Sequence, residues 1–315
     1  MKKILTMAAI AAVGMTLVSC SSDNGNLVED VKPGKAHVRL VCGMGVNVSP
    51  MGAPMRAPMT RAALNANGKQ LTNLYILDYD KTTGKLLQVL HQTSTAPDFA
   101  EPDLTLDYGD HVLKVVATRS QEPTLWDAQK ISWQVEPDIL TPATASHPVM
   151  LTSAKTSDTF GAEKEVSVGI GKATTVSIAL DRLVAKLVVK STDAFPDDAT
   201  TVTLDMQEYR TLSWATMDVI EAVENQRVTD VSGLRGTTGT VLSYFVLAPN
   251  DGYTTDVTLT TNHTEGLPYS TITVQSVPLE RNKVTTISGP LYGHEQGFQV
   301  SVNDAWSETT NDIVI

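Results

Sequence analysis

Two cysteines and six histidines carry the sharpest chemistry in this sequence, and their spacing decides what they can do. His37, His91, His111, His147, His263 and His294 are never three or four residues apart, so no two form a zinc pair on a helix or hairpin. His294-Glu295 lacks the second histidine of an HExxH site, and no GxSxG nucleophile elbow is present. Gly43-Met44-Gly45 and Gly169-Ile170-Gly171 lack the third glycine and following helix of a dinucleotide site, and there is no P-loop. Asp78, Asp80 and Gly84 lie close together, but the glycine is one place late for an EF-hand. The twelfth position is Val89 where calcium needs Glu, so a hairpin turn is expected instead. The many carboxylates read as solvated surface. No catalytic residue, metal site or cofactor is expected, and the chain is not expected to be an enzyme.

The cysteines differ in context. Met1-Lys2-Lys3 is followed by an apolar run from Ile4 to Val18 and small residues before Cys20. That is the layout of a signal peptide, and the run is shorter than the ~20 residues needed to span a bilayer. Leu17-Val18-Ser19-Cys20 resembles the lipobox of bacterial lipoproteins, which implies a lipidated Cys20 after removal of residues 1–19. Several acyl chains hold a protein firmly, since each buried CH2 contributes roughly 0.8 kcal/mol. Residues 20–35 begin Ser21-Ser22-Asp23-Asn24-Gly25-Asn26 and suit a flexible tether. Cys42 falls within an alternating strand pattern and is expected buried and inert.

Stepping from chemistry to scaffold, the net charge of -11 without a Lys/Arg cluster disfavours nucleic acid as a partner. With Cys20 lipidated no disulfide can form, so the fold must rest on its core. Val38, Leu40, Cys42, Met44, Val46 and Val48 share one parity, which predicts a strand over 36–48. The Pro-, Met- and Gly-rich stretch that follows, 49–61, predicts an exposed loop holding Arg56 and Arg61.

Further strands are expected over Leu71 to Tyr79 and Leu86 to His91, as a hairpin, and over Leu104 to Leu106 with His111 to Thr118 as another pair. More follow at short intervals: around Trp133, then 149–151, 165–170 and 174–180, then, in a fresh series from Asp181, 201–204, 241–247, 254–260, 270–274 and 282–287. Two helices are expected: a short one over Pro123 to Lys130 carrying Trp126, and one over Ser213 to Val223, where Trp214, Met217, Ile220 and Val223 fall at helical spacing. The pattern predicts an all-β chain of two sandwiches in series, 36–180 and 181–315.

The order of these segments resembles the fimbrillins, the lipoprotein pilins of Bacteroidales-type bacteria. The residues that carry the resemblance are the lipobox and polar tether, the strand from Ala36 to Val48, Thr60-Arg61-Ala62 in the loop, and the strand Leu74 to Tyr79 with its Asp-rich turn. Arg182-Leu183-Val184-Ala185-Lys186 resembles the opening of the family's second domain. Pro278-Leu279-Glu280-Arg281-Asn282-Lys283 resembles its ERN motif, and Phe298 to Trp306 resembles its final strand.

The resemblance implies two tandem transthyretin-like β-sandwich domains, display as an outer-membrane lipoprotein, and cleavage by an arginine-specific protease between Arg61 and Ala62, with Arg56 the alternative site. Cleavage would remove the first strand and leave a groove with unpaired backbone edges, costly until another strand fills it. In the tail 298–315, Phe298, Val300 and Val302 share a parity, as do Ile313 and Ile315, so it could supply that strand to the next subunit. Head-to-tail contact that does not close makes a fibre. The implied partners are other copies or related pilins, membrane lipid through Cys20, the protease, and surface ligands of a host or another bacterium. A lipid-tethered pilus anchor or tip adhesin is one alternative role, and a surface glycan-binding lipoprotein another.

Overall fold

The computed structural model describes residues 34–44, 71, 73–118, 150–152, 158–170, 175–213, 216–264, 268–293 and 297–303. They form an all-β protein. The first sheet holds β1 (Lys35–Met44), β2 (Asn73–Asp80), β3 (Leu86–Thr93), β4 (Asp103–Asp107), β5 (Gly109–Thr118), β7 (Thr159–Val168) and β8 (Thr175–Arg182), in the order β3-β2-β5-β7-β8-β1-β4. A short strand, β6 (Met150–Thr152), pairs instead with the second sheet.

The second sheet holds β9 (Val184–Ser191), β10 (Ala199–Ser213), β11 (Asp218–Asp230), β12 (Gly239–Leu247), β13 (Tyr253–His263), β14 (Pro268–Leu279), β15 (Val284–Gly289) and β16 (Gln299–Asn303). Its order is β14-β13-β10-β12-β9-β15-β16, with β11 beside β10.

Each sheet folds over on itself at a weak corner. In the first, β7 and β8 share only Phe160–Arg182 and Gly161–Asp181. In the second, β10 meets β12 at Tyr209–Leu247 alone. Two layers result in each case, β3-β2-β5-β7 over β8-β1-β4 and β11-β10-β13-β14 over β12-β9-β15-β16. The strand order is the same in both, with β16 added in the second, although the sequence shows no clean short repeat.

Alternation decides which face goes inward. β8 alternates exposed and buried through Thr175–Leu180, and Val176, Ile178 and Leu180 join Val38, Leu40, Cys42, Leu104, Leu106, Leu113 and Val115 in one core. A second core lies between the layers of the other sheet, around Leu187, Leu204, Val246, Leu259 and Ile287. β2 is buried on both faces because Tyr75, Leu77 and Tyr79 on its outer side pack against Leu183, Val184, Leu212, Met217, Phe245 and Leu247. That third cluster joins the two halves. At Gly161 an added Cβ would stand 2.8 Å from the end of the Leu183 side chain and 2.9 Å from that of Met217, so the two halves pack closely here.

Two expectations are corrected. The helix over Ser213 to Val223 is absent: β10 runs through Ser213, Met217 takes φ 53°, and β11 starts at Asp218. The three-residue recurrence of apolar side chains there is a coincidence across a turn. β11 pairs on one side only, with β10, so its alternation is muted and its strand signal weak. The strands from Leu104 and from His111 both form but do not pair. Tyr108 alone separates β4 from β5, and Gly109 at φ 149° turns the chain so that β4 joins β1 while β5 lies between β2 and β7. The helix over Pro123 to Lys130 and the strand at Trp133 lie outside the described residues.

Candidate functional site

The strand whose removal the family resemblance would imply is β1. It lies between β8, which is parallel to it (Leu40 opposite Val176), and β4, which is antiparallel (Val38 opposite Leu104). Beyond β4, the Leu40 amide donates to the Pro102 carbonyl at 2.9 Å and the Cys42 amide to the Ala100 carbonyl at 2.8 Å. Val38, Leu40 and Cys42 are at most 1% exposed, whereas Arg39 on the other face is exposed and pairs with Glu101 at 2.6 Å. Burial of each such apolar side chain contributes about 1.5–3 kcal/mol. Removing β1 would therefore uncover one apolar floor and two hydrogen-bonding edges. The Cys42 thiol points into the core, and burial pushes its pKa up to about 12, which keeps it inert.

The tail forms β16, antiparallel to β15 with Val300 opposite Ile287. Every residue of β16 is exposed, Val300 and Val302 by 39% and 40%. Phe298, half-buried, packs against the second core beside Gly289. Three of the five residues expected in a donor strand thus sit at an outer edge of the second sheet. Ile313 and Ile315 lie outside the described residues, as do Cys20, Arg56, Arg61, Ala62 and positions 45–48 of the first strand.

The two middle motifs meet at the junction between the halves. The Arg182 guanidinium donates to both Asp158 carboxylate oxygens, at 2.7 and 3.1 Å, and to Asn282 Oδ1 at 2.8 Å, with its plane over the Phe160 ring. Asn282 takes φ 60°, and its amide donates to the Val184 carbonyl. Arg281 donates to the Ala248 carbonyl at 2.7 Å, to Asn250, and to Asp218 at 2.9 Å, fixing the β12–β13 and β10–β11 connections. These residues clamp rather than catalyse. The Asp80 carboxylate accepts from the Thr82 and Thr83 amides and the Thr83 hydroxyl, closing the β2–β3 turn over Gly84 at φ 69°. Its oxygen is occupied by its own turn, as a hairpin requires.

His111 is the residue the motif search missed. It is 2% exposed, with Nδ1 2.7 Å from Asp78 Oδ1 and Nε2 2.8 Å from the Asp107 carbonyl oxygen. The hydrogen bond from Asp78 raises its pKa against the opposing cost of burial. Parity could have found it: His111 falls in step with Leu113, Val115 and Ala117, and Asp78 with Leu74 and Ile76, all core residues.

A family described as one of unknown function, DUF6562, matches residues 139–315, more than half of the sequence. The chain belongs to that family. No curated protein sequence matches it. Among solved structures it is similar to the fimbrial anchor protein Mfa2 from Porphyromonas gingivalis, with 11% identity, 85% of this chain and 97% of that one covered, and a TM-score of 0.51. It is also similar to a candidate adhesin from Bacteroides thetaiotaomicron, with 12% identity, 87% and 98% covered, and a TM-score of 0.51. The tip fimbrial protein Mfa3 from Porphyromonas gingivalis aligns over 86% of this chain and all of that one, at 14% identity and a TM-score of 0.48. The fold of this DUF6562 member is thus that of the Bacteroidales fimbrial proteins.

Proposed function

We propose that this chain is a structural pilus subunit built of two sandwich domains, 36–180 and 181–315, that polymerises by exchanging β1 for the terminal strand of another copy. In this reading Cys20 is lipidated on export, an arginine-specific protease cuts after Arg61 (or Arg56), and residues from Phe298 onward fill the opened groove. The observation that carries it is the contrast between β1, an internal strand with one apolar face, and β16, an edge strand bare on both faces. A strand of the first kind leaves an open template behind, and one of the second kind can leave its place at small cost. The fold shared with the fimbrial anchor supports the same reading.

The test is to treat the chain lacking residues 1–19 with an arginine-specific protease, read the new amino terminus, and look for heat-labile, SDS-resistant ladders. A cut after Arg61 with ladders, weakened by trimming 312–315, is expected. A cut product that stays monomeric would overturn polymerisation and leave the tethered anchor or tip role.

A further inference from the structure

β4 is the exposed wall of the strand groove. Among the described residues its sole strand partner is β1, so when β1 departs β4 loses its whole ladder. Among the described residues one cross-layer hydrogen bond then remains, beside the core packing of Leu104 and Leu106. His111 stands on β5, in the layer opposite β4, and reaches back over the β4–β5 connection to the Asp107 carbonyl at the end of β4, while its other nitrogen is held by Asp78 of β2. We propose that His111 is a positioning residue that bolts β4 to the opposite layer while the groove is empty, and that the bolt holds only while the His111–Asp78 pair carries its extra proton. The inference rests on the strand-exchange reading above.

The proton count follows from geometry. A backbone carbonyl can only accept, so Nε2 must carry a proton. Nδ1 faces a carboxylate at 2.7 Å, and a second proton is needed between them, which the imidazole, the stronger base, holds. A neutral imidazole beside an ionised Asp78 satisfies one contact and sets two lone pairs against each other at the second. The surrounding charges favour the proton. Asp80 on β2, Asp107 at the end of β4 and Asp110 on β5 lie nearby; the Asp107 carboxylate pairs with Lys35 of β1 at 2.9 Å, and Asp110 accepts from Ser167. On β7 the residue opposite His111 is the apolar Val166. On β1, Arg39 faces away from the core, and Lys81 is drawn off to Glu165 at 2.6 Å. Lys35 is lost with β1, which removes a competing cation and strengthens the bolt when it is needed.

The sign is set by the raised pKa of His111. The contribution is complete below the ordinary histidine value of 6.5 and is lost as pH rises through the raised folded-state value. The experiment is amide exchange on the full chain, corrected for intrinsic rates, from about pH 6 to pH 9. Protection across Asp103–Asp107 should fall more steeply than protection across β2 as pH rises through the raised His111 value. His111→Gln, which keeps one donor and no titrating group, should show weak protection at β4 with no such slope. Nitrogen NMR of His111 should show both ring nitrogens protonated near pH 7, a readout that survives if the variant does not fold. A bare ring nitrogen at that pH, or the same slope in His111→Gln, would overturn the bolt. Loss of ladders after protease treatment with the slope intact would instead overturn polymerisation and leave the bolt standing.

Discussion

The first strand of each sandwich occupies the same place in the same topology, yet β1 and β9 are held in opposite ways. Each has one parallel neighbour, β8 or β15, and one antiparallel neighbour, β4 or β12. β9 is buried on both faces over Val184–Val189: Ala185, Leu187 and Val189 face one core, and Val184 faces the cluster between the halves. Its start is pinned by the bond from the Asn282 amide to the Val184 carbonyl, beside the Arg182 clamp. Its end is pinned by Ser191, whose hydroxyl donates to Asp193. β1 buries one face, and its edge contacts are the ladders, the Leu40 and Cys42 amide bonds to Pro102 and Ala100, and the exposed pairs Arg39–Glu101 and Lys35–Asp107. A pair of that kind adds little to stability. Topology alone therefore does not make a strand permanent; two-sided burial and anchored ends do.

The largest expected effect tests the anchor. Arg182→Met leaves the Asp158 carboxylate, in a side chain 1% exposed, without its bidentate cation. Breaking a buried pair from one side costs roughly 3 to 5 kcal/mol. Thermal melting should show a loss of this size together with faster exchange on both sides of the junction. A change confined to one sheet would mean that the two halves do not share stability through this clamp.

Next in size, Leu187→Ala in β9 and Leu40→Ala in β1 remove equally buried side chains, each 0% exposed. Each should cost about 2 to 4 kcal/mol in the element that holds it. The distribution should differ. Leu187→Ala should raise exchange throughout the chain, whereas Leu40→Ala should raise it in β1 and β4 and leave β9 protected, because the first strand opens below the global limit. Uniform loss in both variants would break the comparison.

The sequence carried much of this. Period-two alternation located β1 because one of its faces turns outward at Arg39, and Arg182 and Glu280-Arg281-Asn282 stood out as motifs before their contacts were visible. Their meeting was not legible, since Arg182 and Asn282 are a hundred residues apart and touch through the φ 60° turn of Asn282. β11 was misread because it has one neighbour and an interrupted apolar pattern. His111 and Asp78 were passed over because the search asked for clusters of like ligands, while the pair spans two strands and ends on a backbone carbonyl.

A smaller effect concerns how β16 is retained. A Cβ at Gly289 would stand 2.6 Å from the Phe298 ring, with the root of the ring also within 2.8 Å, so the ring must leave its seat. Gly289→Ala should cost about 1 to 3 kcal/mol, confined to Phe298 and β16. In exchange measurements β16 should open while β9 and β15 hold. In the assembly assay the variant should form ladders faster, because the donor is released. Slower assembly would mean that the hairpin of β15 with β16 is itself the assembling unit.

The smallest effect, on the order of 1 kcal/mol after allowance for a half-exposed site, belongs to Asp193. Its carboxylate accepts from the Ser191 hydroxyl and from the Leu291, Tyr292 and Gly293 amides, so it fastens the end of β9 to the connection that leads into β16. Burial alone would raise its pKa, but these donors outweigh burial and hold it below the usual carboxylate value of 3.8. The stabilisation is therefore present above pH 3.8 and lost as pH falls through the depressed value. Asp193→Ala should flatten that acid limb of the stability curve and loosen β16, while β1, which has no part in this contact, keeps its exchange rate. If acid instead releases β1 and β16 together, these two strands share an anchor that their separate contacts do not explain.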